Sequence, residues 1–243
     1  MRVVGRIATH GCAAPSVVVV AHGTRDPAGV AVAGQLTDAL RARLPGRSVQ
    51  LAFVDVLGPV VRDVVASVPG PVTVVPAFLT RGYHVRTDVP REVAATGRSD
   101  VTVTAALGPH PLLRGAMADR LRAAGWRPGD AVVLAAAGSS DERAVADVRA
   151  AAVQLSGELG CRVRVGFVAT GTPSVTALVR GLRAAGAPRV AVASWLLAPG
   201  LFHRRLAGTG TGADVVAAPL STHPGVIDRL TSLADVAAVR RSA

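Results

Sequence analysis

The sequence predicts an α/β chain of two similar domains, each a small parallel sheet flanked by helices. Three observations lead there. Short β-branched runs alternate with stretches of helical length, a turn-rich break near residue 125 restarts the alternation, and landmarks recur in order across that break at a nearly constant offset.

Residues 17–21, 49–54, 72–76 and 101–105 are nearly continuous apolar runs of strand length, as parallel strands covered on both faces require. Between them, residues 29–44 place Val32, Leu36, Leu40 and Leu44 on one face, and residues 60–68 and 112–124 carry similar helical patterns. Such alternation builds an α/β layer with right-handed crossovers. After Gly125-Trp126-Arg127-Pro128-Gly129, candidate strands at residues 131–136, 162–168, 189–194 and 214–217 repeat the series. This reading places a leader at residues 1–15, one domain at 16–124 and a second at 130–243. A chain of 243 residues is long enough for one large domain or two small ones, each with its own buried core.

The two halves read as copies of one unit. Phe53-Val54 and Pro59 correspond to Phe167-Val168 and Pro173, displaced by 114 positions. Leu107-Gly108-Pro109-His110-Pro111 resembles Leu220-Ser221-Thr222-His223-Pro224, displaced by 113, and residues 78–86 resemble 195–205, which sets His203 119 positions after His84. The loop His22-Gly23-Thr24 falls opposite Ala137-Gly138-Ser139 at 115. Offsets this regular indicate a duplicated supersecondary unit. The first copy has a histidine where the second has alanine, so chemistry is expected in the first copy only.

Composition removes several classes. No apolar run approaches the roughly 20 residues that cross a bilayer, and residues 1–15 lack the continuous apolar stretch of a secretion signal. Cys12 and Cys161 sit in no C-x-x-C pattern, so a reducing cytoplasm is the expected compartment. The formal charge of +11 comes entirely from arginine. Those arginines are dispersed and aromatics are only 3%, which leaves few rings on which bases could stack and argues against nucleic acid. A chain this rich in Ala, Val, Gly and Arg reads first as the product of a GC-rich genome, which alone supplies such arginines, and a small polyanion carrying several carboxylates is the functional alternative.

Ligands of open α/β sheets bind at the carboxyl ends of the strands. His22 stands there, directly after the first strand in Ala21-His22-Gly23-Thr24-Arg25-Asp26-Pro27, with Thr24 or Asp26 available to cap the following helix. His84 follows the third strand in Phe78-Leu79-Thr80-Arg81-Gly82-Tyr83-His84-Val85-Arg86-Thr87-Asp88-Val89-Pro90, so both imidazoles leave the same sheet edge. Neutral imidazole binds Fe²⁺, Co²⁺ or Ni²⁺ and takes up a proton near neutral pH. Asp88, four residues on, is placed to orient His84, although Pro90 argues against a continuous helix there. Arg25, Arg81, Arg86, Arg204 and Arg205 flank the same region as candidate carboxylate partners. His203 is a candidate either for a substrate carboxylate or for the domain interface. His110 and His223, each followed by proline in both copies, are expected to cap a helix or close a loop. Neither G-x-G-x-x-G nor G-x-x-x-x-G-K-[ST] occurs at the first strand-helix turn, which counts against a nucleotide site.

AHGTRDP after strand one, FLTRGYHVRTDVP after strand three and LGPHP after strand four, followed by a degenerate second copy, resemble the sirohydrochlorin chelatases, the ATP-independent class II chelatases of cobalamin and sirohaem synthesis. The resemblance covers nearly the whole chain from Val17 onward. It implies a chelatase-like fold with the active-site cleft between the domains and His22 and His84 as paired metal-binding and proton-accepting residues. Arg25, Arg81, Arg86 and His203 would then contact a polycarboxylate tetrapyrrole, and Asp88 and Asp55 would support the histidines. It further implies no permanently bound cofactor, a divalent metal (Fe²⁺, Co²⁺ or Ni²⁺) as substrate, and a monomer with pseudo-dimeric halves. Relatives carry a glutamate just before the proline of the strand-two loop, where this chain has Gly58, leaving Asp55 as the acidic residue nearby. A metal or tetrapyrrole carrier that uses the same cleft without turnover is the alternative.

Overall fold

In the first half the apolar runs form four strands, β1 (Ser16–Ala21), β2 (Val49–Phe53), β3 (Val72–Pro76) and β4 (Val101–Val103), all parallel and ordered β2-β1-β3-β4. This computed structural model describes residues 15–242, so Cys12 and all but the last residue of the expected leader lie outside the described residues. The crossovers are α1 (Pro27–Arg43), α2 (Val61–Ser67) and α3 (Val89–Ala94), and α4 (Pro111–Ala123) closes the half. The second half repeats the plan with β5 (Ala131–Gly138), β6 (Val163–Thr170), β7 (Val190–Trp195) and β8 (Val215–Val216), ordered β6-β5-β7-β8 and again parallel. Its helices are α5 (Glu142–Leu159), α6 (Val175–Ala184), α7 (Leu201–Ala207) and α8 (Pro224–Ser242). The repeat reaches the backbone: Phe53 N–H donates to the Pro59 carbonyl at 2.8 Å, and Phe167 N–H to that of Pro173 at 3.0 Å. Among the described residues no helix is long and apolar enough to cross a membrane.

Alternation along the central strands divides the interior. Successive side chains of a strand point to opposite faces, so Val17 and Val19 of β1 enter one core while Val18 and Val20 enter another with α2 and α3. On β5, Val132, Leu134 and Ala136 join the first of these cores, and Val133 and Ala135 pack with α6 in a third. Among the described residues the interior thus holds three cores. Each half keeps a private core on its outer face, but the inner faces of both sheets share a single one.

That shared core exists because the halves exchange their last helices. The α4 helix of the first half packs on β7 and α5 of the second, and α8 of the second packs on β3 and α1 of the first. Leu113, Met117 and Leu121 of α4 and Val226, Leu230 and Leu233 of α8 lie in the same cluster as Leu36 and Leu155. At the α4–α8 crossing a Cβ at Gly225 would lie 2.5 Å from the Leu112 carbonyl oxygen, so only glycine permits this approach. Truncating a fully buried leucine such as Leu121 or Leu230 removes roughly 2–5 kcal/mol.

The outer strands are shorter than their apolar runs. Residues 101–105 give a three-residue β4 and residues 214–217 a two-residue β8, both at sheet edges, where a short strand offers less unpaired backbone to a second chain. Past Tyr83 the chain also departs from expectation. Residues His84–Asp88 form a π-helical turn that runs directly into α3, with Val89 N–H donating to the His84 carbonyl. Pro90 follows at the second residue of α3, and the local widening of the π-helical turn accommodates a residue that has no N–H to donate.

Candidate functional site

Strand order reverses between β1 and β3, and the loops from their carboxyl ends carry His22 and His84. The His22 loop is pinned to the loop after β2: Val54 N–H donates to Ala21 O and Asp55 N–H to His22 O, both at 3.0 Å. Gly23 permits this, at φ +91°, because a Cβ there would stand 2.0 Å from the Asp55 carbonyl oxygen. Downstream, Thr24 Oγ1 accepts from Asp26 N–H at 3.1 Å, and Asp26 Oδ1 accepts from Ala28 N–H at 3.0 Å to cap α1. Both capping candidates are thus used in series.

The two imidazoles meet edge to face with centroids 4.5 Å apart and planes at 87°, and Phe78 lies 6.3 Å from His22 and 6.1 Å from His84. His22 Nδ1 lies 2.9 Å from the Gly23 carbonyl, and His84 Nδ1 lies 2.7 Å from Asp88 Oδ2. A carbonyl and a carboxylate only accept, so each Nδ1 carries a proton, and in the neutral ring each Nε2 keeps its lone pair for a metal or a proton. The second oxygen of buried Asp88 meets Arg91 Nη2 at 3.1 Å. This fixes the carboxylate that fixes His84.

His22 stands on the wall of a cavity of about 470 Å³ between the halves. Leu36, Phe53 and Phe78 line it from the first half, and Phe167, Trp195 and Phe202 from the second. His84 is not part of the lining and meets the cavity through His22. Ala137-Gly138-Ser139, the counterpart of the His22 loop, also lines it. Its backbone keeps the same close approach, since a Cβ at Gly138 would lie 1.8 Å from the Thr170 carbonyl oxygen. The second half therefore retains the loop as wall without its imidazole.

The structure gives two expected carboxylate clamps other partners. Arg81 donates to Asp147 from its backbone N–H at 2.8 Å, from Nε at 3.1 Å and from Nη2 at 2.5 Å. Arg86 Nη1 donates to Asp141 Oδ2 at 3.1 Å. Both reach from the first half into the second, so their guanidinium groups join the halves. Arg204 completes the set in the other direction by pairing with Asp26. Arg25 is exposed on the His22 loop, and His203 lines the cavity. Asp55 turns its carboxylate on its own loop, where Oδ1 accepts from Val56 N–H at 2.7 Å and supports that residue's φ of 66°. It is the Asp55 peptide, not its carboxylate, that positions His22.

The expected loop histidines are caps in both halves. His110 Nδ1 accepts from Leu112 N–H at 3.3 Å and His223 Nδ1 from Gly225 N–H at 3.1 Å, which requires the neutral ring. Burial pushes both below the usual histidine value, with the charges of Arg229 on His110 and of Arg120 on His223 acting the same way. Asp26 is held low by its hydrogen bond from Arg204 and then by Ala28 N–H. Asp141 is held low by Arg143 N–H and, after that, by the charge of Arg86.

Local patterning did not show the pairing of Asp26 and Asp141 with arginines of the opposite half. The signal was available, because the two aspartates are separated by the same 115 positions as His22 and Ala137. Among the described residues no group of three His, Cys, Asp or Glu side chains converges as a metal cage. What converges is a pair of imidazoles, which leaves most coordination positions to solvent or to a second molecule.

Comparison with known structures finds the same architecture. SirB from Bacillus subtilis with Fe³⁺ superposes with a TM-score of 0.80 at 19% identity, covering 94% of this chain and 97% of that one. The SirB sirohydrochlorin chelatase of Bacillus subtilis subspecies spizizenii in complex with cobalt gives 0.75 at 19% identity, with the same coverage. CbiX, described as the terminal enzyme for biosynthesis of siroheme in denitrifying bacteria, gives 0.69 at 20% identity over 91% of this chain and 99% of that one. Comparison with curated protein sequences gives no significant match. The CbiX family model matches twice, over residues 16–124 and 131–235, so the chain belongs to the CbiX family.

Proposed function

We propose that this protein inserts a divalent metal ion, Fe²⁺, Co²⁺ or Ni²⁺, into sirohydrochlorin or a closely related polycarboxylate tetrapyrrole, without ATP, as a cytoplasmic monomer whose working residues are His22 and His84. The observation that carries this reading is the pair of imidazoles, with ring centroids 4.5 Å apart and each held through Nδ1, of which His22 stands on the wall of an interdomain cavity. Membership of the CbiX family and the metal-bound SirB structures support it.

The chemistry balances on these two side chains. The macrocycle enters with two pyrrole N–H groups, and the metal dication replaces both protons, so two protons leave for each ion inserted. While the ion rests on the two Nε2 atoms those lone pairs are occupied. As it passes to the ring nitrogens they are released, and each imidazole can take one proton. Asp88, hydrogen-bonded to His84 Nδ1–H, stabilises the imidazolium that forms there. The apolar cavity excludes water from one face of the ring and strengthens these interactions.

The test is anaerobic incubation of sirohydrochlorin with each ion, following the change in the macrocycle's visible absorption at substoichiometric protein for wild type and His22→Ala. Multiple turnovers that His22→Ala abolishes are expected. Binding without turnover by folded wild-type protein would make it a carrier.

A further inference from the structure

Two side chains of the cavity wall are polar in the first half and alanine in the second: His22, opposite Ala137, and Thr80. Val17 pairs with Thr73 in the first sheet and Val132 with Ala191 in the second, so third-strand residues recur after 118 positions. The loops beyond keep that step, since Leu107 N–H donates to the Phe78 carbonyl at 2.8 Å and Leu220 N–H to that of Leu196 at 2.9 Å. Thr80 therefore corresponds to Ala198, and both line the cavity.

The other hydroxyls of the wall serve the fold. Thr24 Oγ1 accepts from Asp26 N–H and Ser139 Oγ from Asp141 N–H. The Thr80 hydroxyl has no partner among the described residues, and the residue is only half-buried, with its oxygen accessible. Its place is nevertheless fixed from both sides, by the bond to the Phe78 carbonyl and by Arg81 N–H donating to Asp147 Oδ2 at 2.8 Å. An unused hydroxyl held still on a mostly apolar wall is the kind of group that orients a ligand.

We infer that Thr80 is a positioning residue for the macrocycle, donating from Oγ1–H to one of its carboxylates. This rests on the proposed function. A polycarboxylate tetrapyrrole carries its carboxylates round the rim, so the edge that enters the cavity brings at least one with it. Beside an apolar wall a hydrogen bond to a carboxylate is stronger than one between neutral groups. Thr80 also lies four residues before His84 on the same loop, so the group that anchors the ring and one that handles the metal share a single segment.

The test measures binding of metal-free sirohydrochlorin by absorption titration for wild type, Thr80→Val and Thr80→Ser, with Co²⁺ binding in the absence of the ring measured in parallel. Thr80→Val, which keeps the shape and removes the hydroxyl, should weaken macrocycle binding about tenfold, with KM raised more than kcat is lowered. Thr80→Ser should recover most of the loss, and Co²⁺ binding should stay at the wild-type value in both. With the carboxylates of the macrocycle esterified, the gap between wild type and Thr80→Val should close. Unchanged affinity in Thr80→Val, failure of the serine to recover it in folded protein, a gap that persists with the ester, or loss of Co²⁺ binding without the ring would overturn the assignment while leaving the chelatase reading in place. Wild-type protein that neither binds nor metallates sirohydrochlorin overturns both.

Discussion

Asp26 and Asp141 are the same residue in two copies: each caps the first helix of its half, and each accepts an ion pair from an arginine of the other half, Arg204 and Arg86 respectively. The arrangement is reciprocal: the two aspartates are related by the internal repeat, and each half gives one arginine to the other. Both carboxyl groups titrate below their ordinary value of 3.8. A carboxylate depressed by folding contributes stability above its unfolded value and loses it as pH falls through the folded one. The wild type should therefore lose thermal stability on acidification below about pH 4. The double variant Asp26→Asn/Asp141→Asn, which keeps both caps, should show a shallower fall. Parallel curves for the two proteins in thermal melts across that range would remove the pairs from the explanation.

The capping histidines give a second pH dependence in a different window. Because His110 and His223 are held below the ordinary value of 6.5, their contribution is complete above that value and is lost as pH falls through it. Asparagine caps equally well and does not titrate. His110→Asn/His223→Asn should match the wild type at about pH 8 and exceed it at about pH 5.5 in urea unfolding. Alanine at either position should cost about 0.5–2 kcal/mol at the higher pH.

Asp88 orients His84 and supplies the charge behind it. Asp88→Asn keeps an acceptor for Nδ1–H and removes the charge, so the fold should survive while Co²⁺ affinity falls roughly 10–100-fold, the usual cost of losing a carboxylate behind a metal-binding histidine. Calorimetric titration with Co²⁺ reads this directly. Wild-type affinity in the asparagine variant would show that the carboxylate acts only on the fold.

Arg81 and Asp147 should respond unequally to removal. The Asp147 side chain is 1% exposed and that of Arg81 58%. Arg81→Ala strands a buried carboxylate with only a backbone N–H and should cost about 3 kcal/mol. Asp147→Ala returns a largely exposed guanidinium to water and should cost about 1–2 kcal/mol. The double variant should be more stable than Arg81→Ala alone, and a double-mutant cycle in urea tests the ordering.

Much of this was legible in the sequence, for a physical reason. Val17, Val18, Val19 and Val20 are all buried, and a strand covered on both faces declares itself as an unbroken β-branched run. His22 was legible as a strand-end residue. The uses of Arg81 and Arg86 were not, because their partners lie 66 and 55 positions away on the other half, beyond any local pattern. Pro90 misled in the opposite sense, since it forbids an ordinary helix interior but not the first turn after a π-helical one. The leucine stripes of α4 announced a buried face without saying which sheet would bury it.

The exchange of α4 and α8 sets what each copy was free to lose. A half taken alone would leave the third strand of its sheet bare on one face, because the helix that covers it is supplied by the other copy. Substitutions in the second copy's loops leave that cover intact, so an imidazole at position 137 is dispensable to the scaffold, whereas Leu230 and Gly225 are not. The chain thus keeps one pair of facing imidazoles in a body built for two, with the second copy serving as the roof of the first.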